Sequence, residues 1–136
     1  MATKKSFLYY MYKDLYEAVN ALADKTYMGR RPKQTPEEVK TFIVVEIPTN
    51  IRNLVAGDIT RTPYCYGTFT VFCKANSDGT LDINKQTNII QKVIDKFPIA
   101  GEHISATRPN VMMDGEDGYG YQATVITFAI RGKKFV

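Results

Sequence analysis

YCYGTFTVFCKA, residues 64–75, is the stretch on which the fold turns. It is rich in aromatic and β-branched residues, the composition of a β-strand, and carries apolar residues on both of its faces. Cys65, Phe69, Val71 and Cys73 fall on one side, and Tyr64, Tyr66 and Phe72 on the other. A strand apolar on both faces is either central and covered twice, or covered once and used at an interface. The run Asn76-Ser-Asp-Gly79 stops it with a turn.

Outward from this strand the pattern is regular. Towards the N-terminus, Thr41 to Ile47 (TFIVVEI) is a second strand, closed by Pro48, and Thr49 to Pro63 is irregular with Gly57-Asp58 as a turn signal. Residues 27–40 have no periodicity and contain Gly29, Pro32 and Pro36, so a long loop is predicted. Before it, Leu8, Met11, Leu15, Ala18, Val19 and Leu22 recur at helical steps, predicting a helix from about Ser6, its N-cap, to Asp24. Tyr9, Tyr12 and Tyr16 form a second stripe that flanks the core or meets a partner.

Towards the C-terminus, Asp82 caps a helix over 83–97, with Ile83, Thr87, Ile90, Ile94 and Phe97 on one face and Ile89 and Val93 alongside, and Pro98 stops it. Ile104 to Pro109 reads as a short strand and Asn110 to Gly120 as an acidic, glycine-rich hairpin tip. Tyr121 to Arg131 is the last strand, with Thr124, Ile126, Phe128 and Ile130 towards the core. The order α-β-β-α-β-β predicts a single α+β domain over 1–136, a mainly antiparallel sheet with both helices on one face.

Composition narrows the function. The chain has 136 residues, a formal charge of +4 and pI near 9.0, too weakly basic to establish nucleic-acid binding alone. Nine Tyr and seven Phe with no Trp fit both a core and a wet interface. Cys65 and Cys73 lie roughly 26 Å apart along one strand, beyond the reach of a disulfide. Reduced thiols acting as small core residues are expected. No apolar run is long enough to span a bilayer, and Lys13 and Asp14 interrupt any signal-peptide core, so synthesis in the cytoplasm is expected.

Catalytic constellations are missing from the sequence. His103 is the one histidine, which restricts His-based metal sites and nucleophile triads to a single residue; a surface or sheet-edge place is expected for it. The cysteines lack CxxC spacing. Asp114-Gly-Glu-Asp-Gly118 lacks the alternating ligands of a calcium loop, and Gly118 and Gly120 are followed by a strand, not a phosphate-binding helix. The expectation is a protein with no catalytic residues, cofactor or metal, acting through its surfaces. Tyr66 and Phe72 with the basic loop would otherwise suit base stacking, which keeps a small basic nucleic-acid-binding module as the alternative of a different class.

The element order, with Lys13–Leu22, YGTFTVFCK (66–74), NKQTNIIQKVI (84–94) and Gln122–Ile130, resembles that of the tail terminator and tail-completion proteins of tailed bacteriophages. The segment Thr49 to Pro63 is longer than that compact pattern needs, so a neck or adaptor ring protein of a short-tailed phage is the related alternative. The resemblance implies a homo-hexameric ring in the virion at the head–tail junction, with tail-tube and head-connector proteins as partners and DNA only passing through the ring. In a head-to-tail ring the basic loop of one copy would pair with the acidic tip of the next. Arg30, Arg31 and Lys33 are assigned to one contact edge, Asp114, Glu116 and Asp117 to the other, with Tyr66 and Phe72 between.

Overall fold

The computed structural model describes residues 7–47 and 64–133. The expected N-cap Ser6, the irregular stretch from Thr49 to Pro63 and its Gly57-Asp58 turn lie outside the described residues. The order is α1 (Phe7–Val19), β1 (Lys25–Met28), β2 (Thr41–Glu46), β3 (Tyr64–Lys74), α2 (Ile83–Ile94), β4 (Ile99–Ala100), β5 (Ile104–Glu116) and β6 (Tyr121–Gly132). The strands form one sheet in the order β1-β2-β3-β6-β5-β4, antiparallel except for the parallel pair β1·β2.

β3 is central, as its two-sided pattern requires. It pairs with β2 from Thr68 to Cys73 and with β6 over its whole length. Cys65, Phe69, Val71 and Cys73 join Ile126, Phe128 and Ile130 of β6 in the main core, closed by Met11, Leu15 and Val19 of α1 and Ile89 and Val93 of α2. Both helices thus lie on one face of the sheet, and the α+β class stands. Gly67 is a fixed point of this packing: a Cβ there would stand 2.7 Å from Ile130 Cδ1 and 2.9 Å from Phe128 Cε2.

The helices differ from their sequence reading in extent and rotation. α1 stops at Val19 rather than Asp24: Ala21 takes φ +82, and Asp24 is drawn to the sheet. There its Oδ2 accepts from Lys40 N at 2.9 Å and Thr41 N at 3.2 Å. Leu8, expected in the core stripe, is 41% exposed. On α2 the Asp82 cap holds, accepting from Lys85 N at 3.2 Å. The buried stripe, however, is Gln86, Ile89 and Val93, while Ile83 is 62% exposed and Thr87 turns its hydroxyl back to Ile83 O at 2.6 Å. Gln86 accounts for the rotation: its Nε2 donates to Thr124 Oγ1 of β6 at 2.6 Å within the core. Phe97 lies beyond the end of α2 and packs its ring on Phe69 and Phe128.

Two strands were not expected. β1 straddles the start of the predicted loop, with Lys25 and Thr26 before it and Tyr27 and Met28 inside it, and β4 is a two-residue bridge to β5. β5 also runs on through what reads as a hairpin tip, so the tip shrinks to residues 117–120. Bulges allow this: the register shifts between Thr107 and Asn110, where Arg108 takes φ 59, and again between Met113 and Gly115, where Gly115 takes φ 84. Pro109 falls in the first bulge and therefore bends the strand instead of ending it.

One carboxylate ties the two sides of the core together. Asp14 of α1 is 5% exposed, and its Oδ2 accepts from His103 N at 2.7 Å and from Ile104 N at 3.1 Å. The His103 ring stacks on Tyr10, centroids 4.0 Å apart, and so packs beneath α1 instead of standing open on the surface. Gly101 leaves the room: a Cβ there would lie 2.6 Å from Asp14 Oδ2.

Cys65 and Cys73 are unbridged and buried. Burial pushes both thiols up to about 11. Raised values mean that the folded chain keeps them protonated while the unfolded chain ionises them near their ordinary pKa. Their contribution to stability is therefore present below about pH 9 and is lost between there and about 11. A disulfide reagent at pH 8 should leave both thiols unmodified in the folded protein and titrate two per chain in denaturant. Prompt reaction of either thiol without denaturant would contradict the packing of β3.

Candidate functional site

The sheet face opposite the helices carries the second cluster of the molecule. Phe42 and Val44 of β2, Tyr121 of β6 and Val39 are buried there, with Tyr27 and Phe72 packed against them. Phe42 and Phe72 stack at 4.5 Å with an interplanar angle of 12°, and Tyr121 meets Phe42 edge-on at 5.1 Å. No helix covers this cluster among the described residues. The chain from Gly29 to Val39 does so instead.

Arg31 is the centre of that cover. Its guanidinium lies 5.0 Å from the ring centroids of Phe42, Phe72 and Tyr119 and 5.5 Å from that of Tyr121. Nη1 bonds Asp117 Oδ2, and Nη2 donates to Thr35 Oγ1 at 3.3 Å. A planar cation suits this place because it can lie on ring faces while its edge reaches a carboxylate. Asp117 in turn organises the tip, its Oδ1 accepting from Tyr119 N at 2.7 Å and Tyr121 N at 3.1 Å. Glu116 Oε1 accepts from Gly118 N at 2.8 Å and Gly120 N at 3.1 Å. The Tyr121 hydroxyl donates to Val39 O at 2.7 Å, closing the loop on the sheet. Burial pushes the Tyr121 phenol upward, opposed by the nearby Arg31 charge.

The basic loop and the acidic tip therefore meet within one chain. Arg31 and Asp117 form an intrachain pair, with side chains only 22% and 10% exposed. Arg30 and Lys33 are exposed and, with Pro32, Tyr119 and Tyr121, line an open cleft of about 600 Å³. Asp114 is exposed on β5, and Glu116 is committed to the tip amides. Phe72 is held between Phe42 and Arg31, whereas Tyr66 lies further along the same face, 60% exposed.

Sequence reasoning missed Tyr119, which sits 74% exposed at the cleft mouth, and the run Val111-Met112-Met113, which is 47–58% exposed on β5. The second had a legible signal, since VMM is apolar and strand-forming. The first had none beyond its place between two glycines. Among the described residues no group of three or more His, Cys, Asp or Glu could hold a metal ion, and no helix is long and apolar enough to cross a membrane.

No protein-family model matches the chain, and no curated protein does. Solved structures do. A protein known by a sequence identifier alone is similar with a TM-score of 0.56 at 14% identity, over 93% of this chain and 99% of its own. A chain from the virion of a native gene transfer agent particle is similar with a TM-score of 0.51 at 13% identity, over 87% of this chain and 83% of its own. At such identities the likeness is one of fold.

Proposed function

We propose that this chain is a structural virion subunit that forms a homo-oligomeric ring at the head–tail junction of a tailed phage, terminating the tail tube or joining it to the connector. It works by assembly and not by catalysis. The observation that carries the reading is the fold shared with a gene transfer agent virion chain across most of both lengths. The element order that resembles tail terminators supports the finer placement, and hexameric symmetry follows from that resemblance.

The structure redistributes the charges available to such a ring. Arg31 and Asp117 neutralise each other inside the subunit. Arg30 and Lys33 on one side and Asp114 on the other are left to set register between copies, where charge complementarity governs orientation more than strength. Reversing Arg30 and Lys33 to Glu should dissociate the oligomer in light scattering and move stability by no more than about 0.5 kcal/mol, as for surface changes generally. Adding Asp114→Lys should restore assembly. An oligomer unaffected by the reversal would remove these residues from the contact.

The cleft favours one second reading. Arg30 and Lys33 beside Tyr119 present cations next to an exposed ring, the arrangement used by sequence-tolerant single-strand binders. That reading expects binding of short oligonucleotides that weakens steeply with salt. Absence of binding at low salt would dismiss it.

A further inference from the structure

We infer that the two edges of the sheet are the mating strands of the assembly: β1 of one copy adds to the open stretch of β5 in the next, so that a single sheet continues from subunit to subunit. The inference rests on the reading of the chain as a self-assembling subunit and names the surface that assembles.

β5 is an edge for most of its length. Among the described residues β4 covers only Ser105 and Ala106, and from Thr107 onward β5 pairs with β6 alone. Edges are usually blunted by charge, proline and bulges, because open N–H and C=O groups recruit further strands. Here the blunting is at the two ends, with Arg108 and Pro109 in one bulge and Asp114 and Gly115 at the other. Between them Asn110–Met113 keeps regular register, and it is here that Val111, Met112 and Met113 are exposed. An apolar, unblunted stretch bounded by two deliberate stops is shaped for a strand of the same length.

β1 has that length. Lys25–Met28 is a four-residue strand that among the described strands pairs only with β2, and it ends on Met28, 54% exposed. Its flanks are basic: Lys25 opens it and Arg30 follows it, both exposed. Asp24 beside them is spent on the Lys40 and Thr41 amides. The β5 stretch is followed by exposed Asp114. Exposed Arg108 precedes the stretch, so opposite charge at its Asp114 end, together with matched length and exposed methionine on each edge, points to a second copy as the occupant. Because the two edges differ, the contact is heterologous and repeats around a ring if the rotation closes. The faces also agree. Met28 lies across from Val45, and Val111 from Ile126, so all are on the helix-bearing side.

The test mixes two single variants of the full chain, Met28→Cys and Val111→Cys, one carrying a short tag so that mixed and like pairs separate on a non-reducing gel. Met113→Cys serves as a second probe of the same side. Mild oxidation should yield mixed pairs at about tenfold over like pairs, as expected for a heterologous contact. The Met28→Cys/Val111→Cys double variant should give a covalent ladder ending in a closed species. If light scattering shows an oligomer but only like pairs form, or none, the strand-mating inference falls while the ring reading stands. A monomer at every concentration would overturn both.

Discussion

Replacing Arg31 by Ala is expected to cost about 3 kcal/mol of folding stability, the range seen when one partner of a largely buried ion pair is removed. Three losses combine in it. Asp117, at 10% side-chain exposure, loses its ion-pair partner. The rings of Phe42, Phe72 and Tyr121 lose the group that covers them. The chain from Gly29 to Val39 is then held to the sheet at its two ends, by the Gly29 amide on Val45 O and the Tyr121 hydroxyl on Val39 O, with the middle released. Arg31→Lys should recover only part of the loss, because an ammonium cannot lie flat on the rings and reach the carboxylate at once. Denaturant unfolding of Arg31→Ala, Asp117→Asn and the double variant measures the coupling directly. A coupling near zero would mean that the pair does not hold loop to tip.

Asp14→Ala is expected to cost about 3–6 kcal/mol, since hydrogen bonds to a carboxylate contribute about 1.5–3 kcal/mol each and Asp14 accepts two. The substitution also strands the His103 and Ile104 amides, the second of them in the buried core. Gly101→Ala attacks the same point from the other side, because its new Cβ would collide with the carboxylate oxygen, and about 1–3 kcal/mol is expected. The two should be non-additive: Asp14→Ala removes the two nearest neighbours of the new methyl, Oδ2 at 2.6 Å and Cγ at 2.8 Å, and leaves only the close contact with the residue-14 Cβ at 2.9 Å. Equal and additive losses would show that the contact between α1 and the start of β5 is not the cause.

These two positions show where the legibility of the sequence ends. Alternation placed Cys65, Phe69, Val71 and Cys73 of β3 on the core face, and Thr124, Ile126, Phe128 and Ile130 of β6 opposite them, because a period of two leaves no freedom once one face is buried. Asp82 and the turn at Asn76–Gly79 were readable because capping and turn chemistry are local. What failed was non-local. Asp14 reads as a polar break in a helix until β5 is brought against it. Gln86 reads as solvent-facing until Thr124 offers a partner in the core. β1 is too short and polar to stand out, and is a strand only because β2 lies alongside.

The contact charges had the same fate. Arg30, Arg31 and Lys33 look equivalent in sequence, as do Asp114, Glu116 and Asp117. Folding separates them: Arg31 and Asp117 are paired and half-buried, Glu116 binds tip amides, and Arg30, Lys33 and Asp114 stay exposed. Loop-to-tip pairing was legible in kind, since opposite charge was there to be read. Whether such a pair closes within a chain or between copies depends on the reach of β5, which two bulges extend beyond Pro109.

The central claim is that this fold assembles into a closed ring. Negative-stain electron microscopy of the purified full chain, with light scattering on the same sample, tests it most directly. Annular particles with an open centre are expected, with a mass that is a single multiple, six, of the 15.4 kDa chain. A monodisperse monomer at every concentration, or open filaments with no closed form, would contradict it.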